Sequence, residues 1–169
     1  MPPAPQTPAQ AAEAFYRVAL RVLSDCAPDE YGIALSTEQA FLLSRELLSV
    51  TLYWVHAALG VALPSEADAQ RIFGSLTAIV REKWHAPLGF QGQDVEAYLA
   101  EMEERRATYR QIEEEGGAPV AVLTETTAIL ESAGAVRPED QPKLLALLID
   151  LVPVDEIGEM ATAIRLAGA

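Results

Sequence analysis

Residues Leu47 to Ser65 read LLSVTLYWVHAALGVALPS, nineteen positions without a formal charge. The stretch suits three settings: a bilayer, a cofactor pocket or the centre of a helical core. Its polar and small members decide between them. Ser49, Tyr53, His56 and Gly60 fall at i, i+4, i+7 and i+11, one face of an α-helix, and Arg45 extends that face towards the N-terminus. A lipid-facing helix has no use for such a stripe, whereas a packed helix turns it to water or to hydrogen-bonding partners. Gly60 and Pro64 also leave fewer than the roughly 20 apolar residues that a span requires. The stretch therefore predicts the central helix of a bundle, nearly surrounded by others.

The rest of the chain fits around that helix. Ser36-Thr37-Glu38-Gln39 is a capping box, which starts the helix, and Gly60 predicts its end just after Leu59. Thr7 followed by Pro8 starts a first helix reaching about Cys26. Ser65 caps a third, to about His85, and Asp94 a fourth, which Gly116-Gly117 ends. Three shorter helices follow near 119–133, 139–152 and 154–167, with Gly134, Pro138 and Pro153 between them. No segment alternates convincingly enough to predict a strand. Ala and Leu are abundant and aromatics are only 7% of residues, a composition that favours helix. The expectation is an all-α protein of six or seven helices. Residues 1–6 form a disordered Pro-rich leader, 7–117 the main bundle, and 118–169 a small C-terminal helical subdomain packed on it.

The formal charge is −13 over 169 residues, and Lys83 and Lys143 are the only lysines. A chain so acidic repels phosphate backbones, which argues against nucleic acid as a partner. Cys26 is the single cysteine and has none to pair with, so nothing signals an oxidising compartment. The N-terminal MPPAPQTPAQ lacks the basic and apolar regions of a secretory signal. These features predict a cytoplasmic protein with no membrane partner.

Candidate chemistry is sparse. Glu82 and His85 make one ExxH pair, and Glu101/Glu104 and Glu156/Glu159 make two ExxE pairs. On helices these spacings put two ligands on one side, as a divalent cation requires. A symmetric di-metal set needs a second ExxH, but Tyr53 occupies the position three before His56. Glu101 also has Arg105 at i+4 as an ordinary surface partner. The chain carries no GxSxG elbow and no glycine-rich phosphate loop. A helical-bundle metalloprotein or metal-dependent hydrolase using these Glu and His side chains is the alternative reading.

The fourth helix and the tail speak more directly. Val95, Tyr98, Met102, Tyr109 and Ile112 follow heptad spacing, with Arg105 filling the gap in the seam, and acids crowd the remaining faces. A narrow apolar seam on a charged helix suits helix pairing, within the chain or with a second copy. Leu144 to Val152 leaves almost no polar face, which predicts burial against the bundle or another subunit. The leading expectation is a non-enzymatic interaction protein of adaptor, assembly or inhibitor type. It would self-associate or take a basic protein partner, with the seam Val95–Ile112 as its surface and no cofactor.

Overall fold

The computed structural model describes residues 4–167. Among them are seven α-helices: α1 (Pro8–Ser24), α2 (Thr37–Ala62), α3 (Glu66–Lys83), α4 (Val95–Glu114), α5 (Pro119–Ser132), α6 (Gln141–Leu151) and α7 (Val154–Ala163). Short 3-10 turns precede α2 and α6. The architecture is an all-α bundle.

Helix α2 is its axis. It packs against α1, α3, α4, α5 and α7, and every residue from Glu46 to Val55 is buried. Burying each large apolar side chain of that run contributes about 1.5–3 kcal/mol. Most of its polar side chains find partners inside: Glu46, Ser49, Thr51 and Tyr53 are all hydrogen-bonded, and only the Trp54 indole N–H in this run is left without a partner. Among the described residues, no helix is long and apolar enough to cross a membrane.

The capping box at Ser36 forms as the sequence predicts. The Gln39 amide N–H donates to Ser36 Oγ at 3.2 Å, and the Ser36 N–H donates to Gln39 Oε1 at 2.9 Å. Thr7 and Gln10 make a second box at the start of α1, which the sequence reading credited to Thr7 alone. Helix α2 does not stop at Gly60. It runs through to Ala62 because Gly60 keeps helical torsions, and the actual stop is Pro64, which holds Leu63 extended at ψ 132°. Gly116, at φ +87°, does end α4 as expected.

Helices α5 and α7 pack on α2, and α6 lies against α5. Buried side chains from α1 through α7 belong to one continuous core. One expectation needs correcting. The leader is ordered at its end, where the Gln6 N–H donates to Arg165 O at 2.8 Å and the Ala167 N–H to Gln6 O at 3.1 Å; residues 1–3 lie outside the described residues. Helix α6 is not covered all round. Leu144, Leu147 and Leu148 are buried against α5 and the two 3-10 turns, and Ile149 is 51% exposed.

Candidate interaction surface

The polar stripe of α2 meets α4. Arg45 pairs with Glu101 and also donates to Gln93 Oε1, and Ser49 Oγ donates to the Tyr98 hydroxyl at 3.2 Å. Arg105 forks onto Glu46 with three N–H···O bonds of 3.0–3.1 Å and reaches Glu101 at 3.3 Å. The Tyr53 hydroxyl donates to Glu113. A set of polar contacts therefore joins α2 to α4.

These contacts place the predicted seam. Tyr98, Met102 and Tyr109 are buried, while Val95, Arg105 and Ile112 are half-buried against the same core. Tyr109 stacks edge-on to Tyr53 at 5.2 Å and shares a 3.0 Å hydrogen bond with Thr126 of α5. Burial lifts the Tyr98 and Tyr109 phenols above their ordinary range. Burial also raises the Glu46 carboxyl, and the Arg105 guanidinium opposes that rise only in part. Tyr98, Met102 and Tyr109 are thus packed within the chain, and Val95, Arg105 and Ile112 keep a partly exposed edge.

The candidate metal ligands do not converge. Among the described residues no group of three His, Cys, Asp or Glu side chains could hold an ion. Glu82 is bonded to Lys83, and His85 is exposed beyond the end of α3. Glu101 is engaged by two arginines, and Glu156 by Arg21 at 2.5 Å. Glu104 and Glu159 are exposed on separate helices. An i, i+3 spacing aligns two side chains on a helix, but bringing two helices together is a tertiary matter that the spacing does not encode.

His56 and Cys26 are half-buried. The His56 ring meets Phe73 edge-on at 4.9 Å, with the Arg106 guanidinium 5.6 Å from the centre of the same Phe73 ring. Burial, then Arg106 and Arg110, hold the imidazole down to about 4, so it is neutral at physiological pH. Burial pushes the Cys26 thiol up to about 11, which leaves it without thiolate reactivity.

Exposed apolar side chains gather around α7. Three large hydrophobic side chains are exposed among the described residues: Val61 (90%), Ile149 (51%) and Val120 (47%). Each borders one of two grooves that share Val154 and Asp155 as a common wall. One groove, of about 770 Å³, runs between the end of α2 and the length of α7. The other, of about 670 Å³, lies between the start of α5, the end of α6 and the start of α7. The sequence reading missed all three residues. Val61 lies beyond Leu59, where the sequence predicts the helix to end, and Ile149 sits in a stretch whose apolar pattern predicts burial against the bundle or another subunit without saying which residue faces out. Val120 carries no signal that separates it from the buried Val122 two positions on.

No family model matches the chain, and neither a curated protein nor a solved structure matches it.

Proposed function

We propose that this protein is a non-enzymatic interaction module whose working surface is the pair of apolar grooves flanking α7. One observation carries the reading: every large hydrophobic side chain left exposed among the described residues borders those two grooves. Isolated exposed apolar residues mean little, but a cluster bordering concave surfaces is what a protein-binding site looks like before its partner arrives. Acidic side chains rim both grooves, namely Asp150, Asp155, Glu156 and Glu159. Apolar contact would supply affinity, and the acids would steer and select the partner. Adaptor, assembly and inhibitor roles all use such a surface.

Site-specific photo-cross-linking tests the reading. A photoreactive residue replaces Val61 or Ile149 in the full chain, and a control replaces Ala78, which is exposed on α3 and borders neither groove. The expected result is a discrete adduct from positions 61 and 149 that is absent from position 78. It should also be lost when a second change, Val154→Asp, alters the shared wall. Equal, diffuse labelling from all three positions would remove the proposal.

A further inference from the structure

We infer that the groove between α2 and α7 seats a short amphipathic helix of a basic partner, lying along α7 with lysines or arginines against Asp155 and Glu159. The inference rests on the interaction reading above and names its occupant.

The shape of the groove points to a helix. Its α2 wall is Ala58, Val61 and Ala62, spaced at i, i+3 and i+4. Its α7 wall includes Gly158 and Ala163, and a side chain built on Gly158 would meet nothing within 4 Å. Small side chains on two packed helices leave a shallow channel into which a third helix can press its apolar stripe. Helix α7 has ten residues, so the channel is about 15 Å long, enough for three helical turns. A peptide binding by strand addition would need a free sheet edge. The only bridge among the described residues, Gln6 to Leu166, is isolated and offers none.

The charge of the groove selects the occupant. Asp155 and Glu159 stand one turn apart on α7, both exposed, and neither has an ion-pair partner among the described residues. The one cation at the groove is Arg165. Its guanidinium donates to the carbonyl oxygens of Thr162 and Ile164 at 3.0 and 2.8 Å, which occupies it at the far end of α7. The open length of the channel is therefore negative. A second copy of this chain would bring another −13 charges against that rim, which disfavours self-pairing here. A helix with an apolar stripe flanked by Lys or Arg satisfies both walls at once.

A displayed library of randomised helical peptides, about 10 residues long to match the channel, provides the test. Selection uses the full chain as bait. The expected enrichment is for apolar residues at i, i+3, i+4 and i+7 flanked by Lys or Arg. Affinity for a selected peptide, read by fluorescence anisotropy, should fall at least about tenfold in Gly158→Leu, which fills the channel, and in Asp155→Asn/Glu159→Gln. It should also weaken with added salt. Circular dichroism confirms that each variant folds, and Val61→Lys, at a 90% exposed position, is a second blocking variant should Gly158→Leu unfold the chain. Enriched helices without basic residues that still require an open channel would overturn this occupant and leave the interaction module standing. An empty selection, with cross-linking at Val61 still specific, would do the same. An empty selection together with diffuse cross-linking would remove both proposals.

Discussion

The α2–α4 interface and the flanks of α7 invert the usual arrangement of a globular protein. Charged and polar groups are enclosed in the first, with Arg105, Glu46, Ser49 and Tyr98 bonded to one another between helices. Val61, Val120 and Ile149 are left to solvent in the second. The difference separates what a fold needs from what it can give to a partner. Enclosed polar groups must satisfy one another, so that interface is closed and specific. Exposed apolar groups have no such constraint and lower their free energy when something covers them.

The comparison breaks most readily at Tyr109. Its side chain is fully buried, hydrogen-bonded to Thr126 and packed on Tyr53. Tyr109→Ala should destabilise the fold by about 3–5 kcal/mol through the cavity it leaves. Urea unfolding followed by circular dichroism gives the number. A loss under about 1 kcal/mol would mean that the seam is not packed within the chain.

The ion pair behind it gives a sharper test. Arg105→Met leaves Glu46 buried without its guanidinium and should cost about 2–3 kcal/mol, less than a fully buried pair because Arg105 is partly exposed. Adding Glu46→Leu should restore most of that loss, since an apolar pair of similar size carries no desolvation penalty. A double-mutant cycle in urea measures the coupling. Strictly additive losses would show that the pair does not act as one unit.

His56 probes the same interface through pH. Its folded-state value of about 4 lies below the unfolded value of 6.5, so the unfolded chain takes up the proton first. The stability contributed by the neutral ring is complete above about pH 6.5 and is lost as the pH falls towards 4. His56→Gln removes that titration. Relative to the wild type, the variant should gain about 1–2 kcal/mol between those limits, after allowance for solvent screening of a partly exposed ring. Parallel curves for the two proteins would show that the ring titrates normally and is not held neutral by Phe73, Arg106 and Arg110.

How much of this was legible depends on which forces are local. The capping box at Ser36 and the stripe Arg45, Ser49, Tyr53 and His56 encode a packed central helix, because caps and helical faces are properties of adjacent residues. Amphipathicity shows that α4 needs a partner but not which element supplies it, so the seam was readable and its direction was not. The ExxE pairs failed for the same reason, and in α6 composition predicts burial without showing which side a neighbour within the chain will cover. Gly60 is a purely local ambiguity: glycine marks helix ends more often than interiors, and the deciding signal was Pro64. Its site is open, with nothing within 4 Å of an added side chain. Gly60→Ala should therefore stabilise the protein by about 0.5–1 kcal/mol in thermal or urea unfolding. A loss instead would show that α2 frays before residue 60.

The smallest expected effect is the most discriminating. Val61→Asp and Ile149→Ser each replace an exposed apolar side chain, so in the isolated chain each should shift stability by no more than about 0.5 kcal/mol. The same loss of apolar character in the α4 seam should cost several kcal/mol, as at Tyr109. If Val61→Asp or Ile149→Ser instead costs several times more, and the cost depends on protein concentration, the grooves are already covered by another copy, since association stabilises only the folded form. A small effect at every concentration, measured by urea midpoints over a hundredfold dilution, leaves the grooves free for a different protein. The stability of two exposed side chains thus decides whether this surface closes on itself or waits for something else.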